Sequence, residues 1–242
     1  MNKYSKIGVL SDIHIPYQDD RALNEALKIL LYEKPDCIVI NGDLLDFPGL
    51  SRYEQVPNFN KVTLKEQIEL AVNLLERLRK EHPKADVFFI EGNHEFRFKS
   101  YPIKRAPELY DYMDLAVDLD LRGYKVKWVG TQEGAAKWTD TYITLGDLTI
   151  GHFDTVANPV IPAGMTVRNI MQKKIKINNV IQSHIHRGAV LWDTNENGDT
   201  RFGAECPCLC KNPSYMKNAN WVRGMIIVDN IKGKWQPRLI VL

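Results

Sequence analysis

Short apolar runs alternate with amphipathic segments in the first half of the chain. Ile7–Leu10, Cys37–Ile40 and Val87–Ile90 are uninterrupted apolar runs of strand length, so each predicts a buried β-strand. Between them, Asp20–Tyr32 and Leu64–Leu78 place apolar residues at helical spacing. Buried strands separated by amphipathic helices are typical of parallel sheets with helices on their faces, so this half predicts a βαβαβ arrangement.

The second half of the chain predicts shorter strands joined by tight turns. The predicted strands are Lys125–Val129, Thr141–Leu145, Leu148–Gly151, Val180–Gln182, Ala189–Asp193, Thr200–Ala204, Trp221–Asp229 and Arg238–Leu242, and Val167–Lys176 is a predicted short helix. Together the two halves predict an α/β fold, a four-layer αββα sandwich of two mixed β-sheets flanked by helices. No repeat or linker-like tract divides the sequence, so we expect a single domain over residues 1–242.

Composition and charge narrow the class of protein without naming a function. The hydrophobic fraction of 44% and the charged fraction of 26% are those of an ordinary globular protein. A net charge of +2 is too small to indicate a nucleic-acid-binding protein, but it is compatible with an anionic substrate. No run approaches the roughly 20 apolar residues that a membrane-spanning helix needs. We therefore expect a cytoplasmic protein without a membrane partner, and the sequence leaves the oligomeric state open.

Three of the four cysteines lie within one short segment. Cys206, Cys208 and Cys210 are too close in sequence for mutual disulfides, and Cys37 lies alone in a predicted strand. Reduced thiols are the simplest interpretation. A zinc site in this segment would need a fourth ligand, and no standard pattern supplies one nearby. The role of the three cysteines stays open at this point.

Potential metal ligands follow the ends of five predicted strands. They are Asp12 and His14, Asp43 and Asp46, Asn93 with His94 and Glu95, His152, and finally His184 and His186. Loops at the carboxyl ends of strands converge in open α/β sheets, so we expect these side chains to meet at one place. Five of the six histidines belong to this set, and His82 is left over.

Spacing and residue type indicate which ions such a site would prefer. Residues two apart in an extended segment project the same way, so Asp12 with His14, and His184 with His186, could each share an ion. A mixture of carboxylate, imidazole and amide donors suits Mn²⁺, Fe²⁺, Zn²⁺ or Co²⁺ and argues against calcium.

These motifs, taken in order, resemble the signature of the calcineurin-like metallophosphoesterases. The matching segments are Asp12-Ile13-His14, Gly42-Asp43 with Asp46, Gly92-Asn93-His94-Glu95, His152, and His184-Ile185-His186. The resemblance spans roughly residues 5–190. The segment from Gly203 to Cys210, followed by Tyr215 and Asn220-Trp221, resembles small members carried by bacteriophages and prophages, which would place the protein in the host cytoplasm.

The resemblance implies a two-metal centre with a specific division of ligands. It assigns Asp12, His14 and His186 to one ion, Asn93, His152 and His184 to the other, and Asp43 as the bridge between them. The ions would be two divalent metals, Mn²⁺ first, with Fe, Zn, Ni, Co and Mg as alternatives. A metal-activated hydroxide would attack phosphorus, and His94 would be the catalytic proton donor to the leaving oxygen. Ser183 and Phe153 depart from the family pattern, which usually has glycine at both places.

Four further residues are predicted to support the site or the substrate. Asp46 and Glu95 are carboxylates that could fix the tautomers of ligating histidines or support the ligand loops. Arg97 and Arg187 adjoin ligands in sequence and could bind phosphate, because a guanidinium pairs with phosphate oxygens through two hydrogen bonds. The alternative for both arginines is a solvated basic face.

Several enzyme classes share these motifs, and phosphodiesters are the favoured substrates. Ser/Thr protein phosphatases of the family carry a phosphate-binding arginine after the second motif, where this chain has Phe47. The substrate would be a phosphate ester, with a nucleotide or nucleic acid as one option. The alternatives are a DNA nuclease resembling SbcD, a phosphomonoesterase or protein phosphatase, and a non-catalytic scaffold. A scaffold is disfavoured because every ligand position holds a competent residue.

Overall fold

A computed structural model describes residues 3–51, 62–131, 135, 137–154, 162–173, 178–195, 197–212 and 220–242. The strands are β1 Lys6–Leu10, β2 Cys37–Asn41, β3 Asp86–Ile90, β4 Val126–Val129, β5 Thr141–Leu145, β6 Leu148–His152, β7 Asn179–Gln182, β8 Ala189–Thr194, β9 Thr200–Glu205, β10 Gly224–Ile231 and β11 Lys234–Val241. The helices are α1 Asp20–Glu33, α2 Leu64–Glu81, α3 Glu95–Arg105, α4 Leu115–Asp118 and α5 Met165–Lys173, with 3₁₀ turns at Pro48–Leu50 and Pro107–Tyr112.

The strands form two sheets, and both sheets are mixed. The larger sheet has the order β11-β10-β1-β2-β3-β4, in which β1 to β4 are parallel and β10 and β11 pair antiparallel. The smaller sheet has the order β5-β6-β7-β9-β8, with β6, β7 and β9 parallel and antiparallel strands at both edges. The predicted βαβαβ order of the first half is confirmed by the parallel pairing of β1, β2 and β3.

Alternating side chains of the central strands separate two hydrophobic layers. Leu10 and Ile40 point into the layer shared with α1 and α2, where they pack among residues such as Leu27. Val9 points to the opposite face of the same sheet and packs against Ile150 of the smaller sheet. Successive residues of a strand face opposite sides, so continuous apolar runs are what a sheet covered on both faces requires.

Helix α5 covers the outer face of the smaller sheet and completes the fourth layer. Its Val167 and Ile170 pack against Val180 and Phe153 in a separate cluster of buried residues. The predicted αββα sandwich is thus confirmed. Phe153, which follows His152 in sequence, lies in this cluster.

Local sequence determines where the two long helices begin. Asp19 caps α1 by accepting a hydrogen bond from the Ala22 backbone N–H at 3.2 Å. Thr63 and Glu66 form a reciprocal capping box at the start of α2. In both cases a side-chain oxygen satisfies a backbone N–H that the helix itself leaves unpaired.

A helix that the sequence analysis does not predict follows His94. Residues Glu95–Arg105 form α3, although their basic character and Pro102 gave no helical signal. The predicted helix end at Lys176 lies outside the described residues. Within the described part of the chain, no helix combines the length and the apolar character that crossing a membrane requires.

Candidate metal centre

The candidate ligands lie at strand ends of both sheets and converge on one site. Asp12 and His14 follow β1, Asp43 follows β2, and Asn93 follows β3, all in the larger sheet. His152 is the last residue of β6, and His184 and His186 follow β7 in the smaller sheet. The site therefore lies where the carboxyl ends of strands from both sheets meet.

Left-handed backbone, not an extended segment, directs most of these side chains inward. The φ angles are 50° at Asp12, 51° at His14 and 51° at Asp43. At His184 and His186 they are 81° and 58°. The expectation that the paired ligands are extended is therefore wrong. Asp12 and His14 still reach one group of ligand atoms, whereas His184 lies beside His152 and His186 lies beside His14. Positive φ in non-glycine residues is unfavourable and clusters at functional sites in proteins.

One group of ligand atoms is formed by Asp12, His14 and His186. The Nε2 atoms of His14 and His186 are 3.2 Å apart. Asp12 Oδ1 lies 3.1 Å from His186 Nε2 and 3.9 Å from His14 Nε2. All three residues are buried, and the three ligand atoms lie within 3.9 Å of one another.

A second group is formed by Asn93, His152 and His184. His152 Nε2 lies 3.0 Å from Asn93 Oδ1 and 3.2 Å from His184 Nδ1. The His152 ring is completely buried. This group contains the residues that the family resemblance assigns to the second ion.

Asp43 lies between the two groups. Its Oδ2 atom is 3.7 Å from His14 Nε2 and 3.3 Å from His152 Nε2. Asp43 belongs to two sets of residues whose ligand atoms lie close enough together to hold an ion. One set contains His14 and His94, and the other contains His152 and His184. A single carboxylate thus contacts both halves of the site.

Unsatisfied carboxylate oxygens show that the site fits divalent cations. Asp12 Oδ1 and Asp43 Oδ2 are buried, and neither accepts a hydrogen bond from the described residues. His186 Nε2 lies 3.1 Å from Asp12 Oδ1, a separation that two ligands of one ion would also have. A charged oxygen buried without a partner is costly, and ligands held at about 2.1 Å from one ion would lie at the separations seen here. The mixture of imidazole, carboxylate and amide donors suits divalent transition metals.

Buried carboxylates at the centre are balanced by the surrounding imidazoles. Burial alone would raise the pKa of Asp43, but His152 and His94 help to hold it well below its usual value. Burial also opposes a charged His152, whereas Asp43 and Asp12 raise the pKa of that ring to about 9. The same opposition, with Asp12 as the carboxylate, raises the pKa of His186 to about 10. The site therefore draws positive charge toward its carboxylates, which bound cations would supply.

Asp46 holds two histidine rings from one side. Its Oδ2 atom lies 3.0 Å from His14 Nδ1 and 3.3 Å from His94 Nδ1. The Asp46 contact leaves His14 Nε2 free to face the ligand group. Burial opposes ionisation, but hydrogen bonds with both rings keep the pKa of Asp46 far below its usual value. These contacts are those of a carboxylate that orients a metal ligand.

The Glu95 carboxylate accepts hydrogen bonds from backbone N–H groups, and its described hydrogen bonds include none with a histidine ring. It accepts hydrogen bonds from the N–H groups of Asp43 (2.9 Å), Leu45 (2.8 Å) and Gly92 (2.8 Å). Burial and the nearby Asp43 raise the pKa of Glu95 to about 8, and the N–H groups of Leu45 and Gly92 oppose that shift. Glu95 therefore ties the loop after β2 to the loop after β3.

Two residues outside the predicted set hold His152 in place. Its Nδ1 lies 3.0 Å from Ser183 Oγ and 3.1 Å from the carbonyl oxygen of Asn41. The Ser183 hydroxyl also donates to the Asn41 carbonyl at 2.6 Å. Ser183, which stands where the family usually has glycine, thus contacts the candidate ligand His152. Its position directly before His184 is the sequence signal that could have indicated such a role.

Gly42 and Gly92 permit close approaches that other residues would block. A Cβ atom on Gly42 would overlap the ring of His152, and Gly42 itself has a φ of 79°. A Cβ on Gly92 would overlap both the side chain and the backbone nitrogen of Asp43. Both glycines are required by packing against ligands.

His94 and Arg97 lie beside the ligand groups and contact each other. His94 Nδ1 is 3.1 Å from the carbonyl oxygen of Asp46, and His94 Nε2 is 4.0 Å from Asp43 Oδ2. Arg97 Nη2 lies 3.1 Å from His94 Nε2, and Arg97 Nη1 donates to the Asp46 carbonyl at 2.8 Å. Arg97 is thus next to the site, while its role toward substrate stays a prediction.

Arg187 occupies a different environment from Arg97. Its side chain is 1% exposed, donates to Thr166 Oγ1 at 3.1 Å and lies 3.9 Å from Glu205 Oε2. Glu205 in turn accepts hydrogen bonds from the backbone N–H groups of Thr166 and Val167 at the start of α5. These contacts anchor α5 to the smaller sheet, and a contact between Arg187 and substrate stays a prediction.

The chain is similar to a protein family, to phage proteins and to solved structures. The sequence model of the family described as calcineurin-like phosphoesterase matches residues 5–188. The Gene 54 protein of Mycobacterium phage D29 is 32% identical over 248 residues, covering 97% of this chain and 92% of that protein. Among solved structures, the phosphoesterase YfcE from E. coli is 14% identical with a TM-score of 0.44, covering 97% of this chain and 99% of that chain. Vacuolar protein sorting 29 from Cryptosporidium parvum is 10% identical with a TM-score of 0.46, covering 99% and 98%.

Proposed function

The chain belongs to the calcineurin-like phosphoesterase family, and from that membership we propose that it is a two-metal hydrolase of phosphate esters with a preference for phosphodiesters. The observation that carries this proposal is the position of Asp43. Its buried Oδ2 faces His14 on one side and His152 on the other. A carboxylate placed in this way can bridge two cations and offset their mutual repulsion.

The ligand groups divide the work between two ions. Asp12, His14 and His186 would hold one ion and Asn93, His152 and His184 the other, with Asp43 shared. Divalent ions bound there supply the charge that lowers the pKa of a coordinated water and neutralises phosphate oxygens. The protein positions these ligands on loops from both sheets.

His94 is the proposed proton donor, and its contacts indicate how it would act. The Asp46 carbonyl can only accept, so His94 Nδ1 carries a proton and Nε2 accepts from Arg97 in the structure. A phosphate oxygen that takes over the Arg97 N–H would free Nε2 to take up a second proton from solvent water; burial lowers the pKa of His94 and opposes this uptake, whereas the carboxylates of Asp43 and Asp46 favour it. That proton would then pass to the departing ester oxygen.

The supply of positive charge beside the ligands favours diesters over monoesters. Phe47, at the position where related protein phosphatases carry arginine, is fully buried and packs against Phe98 with ring centroids 5.2 Å apart. It therefore cannot contact phosphate. Arg97 remains as the proposed cation for the substrate, and one guanidinium suits the single charge of a diester better than the double charge of a monoester.

Turnover assays with matched substrates test this proposal. We expect Mn²⁺-loaded protein to hydrolyse bis(p-nitrophenyl) phosphate faster than p-nitrophenyl phosphate, which share a leaving group and differ in charge. Cyclic nucleotides, mononucleotides and single- and double-stranded DNA in parallel would separate a nucleotide enzyme from a nuclease. Faster turnover of the monoester would contradict the diester preference, and no turnover of any ester with two ions bound would contradict catalysis.

Metal dependence provides a second test. We expect EDTA to abolish activity and Mn²⁺ to restore it better than Mg²⁺, because a site rich in imidazole suits transition ions. Activity is measured after dialysis against EDTA and addition of each ion alone. Full activity in Mg²⁺, with no transition metal bound after purification, would contradict the assigned ligand set.

A further inference from the structure

A sulfur atom lies behind one of the candidate metal ligands. Cys210 Sγ is 3.8 Å from His186 Nδ1, the ring nitrogen that faces away from the ligand group. Both residues are buried, with Cys210 1% exposed and His186 6% exposed. Trp221 packs its ring against the same imidazole, with centroids 4.0 Å apart. Water has little access to this side of the ring.

The position of the proton on His186 follows from the other side of the ring. Nε2 faces Asp12 Oδ1 and His14 Nε2, so a cation held there takes the Nε2 lone pair. The neutral ring then carries its proton on Nδ1, and this N–H needs an acceptor. Cys210 Sγ is positioned to accept it.

The other ligating rings whose outer nitrogen has a described partner use oxygen. His14 Nδ1 contacts the Asp46 carboxylate, and His152 Nδ1 contacts Ser183 and the Asn41 carbonyl. Sulfur is a weaker acceptor than any of these oxygens. The side chain of Cys208 also contacts the His186 ring; its Sγ lies 3.5 Å from the carbonyl oxygen of Val222, to which its single thiol hydrogen can donate, and 3.9 Å from the carbonyl oxygen of Cys210.

We propose that Cys210 is a positioning residue for the metal centre, whose sulfur accepts the Nδ1 proton of His186 and so holds Nε2 toward the ion shared with Asp12 and His14. This inference rests on the proposed two-metal function. It gives the cysteine segment a role that spacing alone could not indicate. It also makes this ion the one whose binding depends on a thiol.

Metal-binding measurements on matched cysteine variants test the proposal. We expect Cys210→Ala to weaken binding of one of two Mn²⁺ equivalents by about tenfold, the lower range for loss of a partner behind a metal ligand, and to leave the other equivalent unchanged. Cys206→Ala is the control, because Cys206 is equally buried in the same segment and its thiol contacts the Val9 carbonyl instead. Isothermal titration with Mn²⁺ measures both equivalents.

The outcomes separate this proposal from the proposed function. If the wild-type chain binds no Mn²⁺, the two-metal function fails; if it binds two ions and the Cys210→Ala and Cys206→Ala variants match within about twofold, only the role of Cys210 fails. Cys210→Ser keeps an acceptor and should bind the affected ion more tightly than Cys210→Ala. Equal binding by the serine and alanine variants would contradict the hydrogen bond.

A spectroscopic measurement on the wild-type chain needs no variant to fold. Cys210, His14 and His186 have atoms close enough to share an ion directly, so direct coordination by sulfur is the competing arrangement. Co²⁺-loaded protein should show no sulfur-to-cobalt charge-transfer band in the near ultraviolet. The presence of that band would overturn the proposal, because the thiol would then be a ligand.

Discussion

His94 differs from the proposed ligand histidines in having an arginine beside its Nε2 atom. Its Nδ1 is held by the Asp46 carbonyl, and its Nε2 is approached by Arg97 at 3.1 Å. We expect His94→Ala to keep both metal ions and to lose about 10²- to 10⁴-fold in kcat, the range typical of a general acid. The loss should be largest for a substrate with an alkoxide leaving group, because that oxygen needs a proton as the bond breaks.

An aryl diester provides the matched control for His94. p-Nitrophenolate is stable near neutral pH, so bis(p-nitrophenyl) phosphate should lose much less than a nucleotide diester when the two are assayed side by side. Equal losses on both substrates would mean that His94 acts mainly by binding phosphate. Loss of bound metal in the variant would place His94 among the ligands.

The sequence predicted which side chains lie together at the site, but it did not predict the backbone conformation that places them there. Asp12, Asp43 and His152 could be identified because strand ends and motif spacing constrain them. The left-handed backbone at Asp12 and Asp43 could not be predicted, because positive φ angles in non-glycine residues depend on the surrounding loops. The burial of Arg187 also could not be predicted from sequence, because the neighbouring carboxylate of Glu205 lies on a different strand, β9.

At the scale of secondary structure, a three-residue ionic contact links the end of α1 to the larger sheet. Glu33 accepts hydrogen bonds from Lys6 Nζ at 2.5 Å and from Arg238 Nη1 at 2.9 Å. Hydrogen bonds from Arg238 and Lys6 lower the pKa of Glu33 from 4.5 to about 2. The carboxylate therefore contributes stability that is fully present above pH 4.5 and is lost as the pH falls toward 2.

Glu33→Gln should lower the free energy of unfolding by about 1 kcal/mol at neutral pH, a modest value because the contact is partly solvated. The difference from wild type should shrink as the pH falls below 4.5, and urea unfolding at several pH values measures it. Glu25→Gln on the same helix is the control, because the ion pair of Glu25 with Lys28 is exposed. A difference that stays constant down to pH 3 would contradict the ionic origin.

The helices and strands were predictable where periodicity is regular. α1, α2 and the first three strands have long apolar runs or clear helical spacing, so tertiary contacts only confirm the local signal. α3 was not predictable, because its basic residues and Pro102 obscure the apolar contacts that Phe96 and Phe98 make in the core.

At the scale of the whole molecule, the ligands join two sheets that also meet through apolar packing and through hydrogen bonds such as that from Ser183 to the Asn41 carbonyl. Asp12, His14, Asp43 and Asn93 come from the larger sheet, and His152, His184 and His186 from the smaller one. Ions bound between them should therefore stabilise the folded chain against unfolding. At Mn²⁺ concentrations 100-fold above the dissociation constant, we expect about 2.7 kcal/mol for each occupied site.

Urea unfolding with EDTA and with increasing Mn²⁺ measures this stabilisation. The midpoint should rise with Mn²⁺ concentration after the sites fill, because an ion that binds only the folded state stabilises it by mass action. Identical midpoints with EDTA and with excess Mn²⁺ would show that the ligands of the two sheets do not share ions.

The number of ions held by the wild-type chain and by Asp43→Asn tests the bridging role of Asp43 most directly. Elemental analysis after equilibration with Mn²⁺ and removal of free metal should give two ions per wild-type chain and fewer in Asp43→Asn, because the amide removes the shared negative charge. Asp111→Asn, a change at an exposed residue of the 3₁₀ turn Pro107–Tyr112, is the control and should keep two. Fewer than two ions in the wild-type chain, or two ions retained by Asp43→Asn, would contradict the bridged two-metal centre.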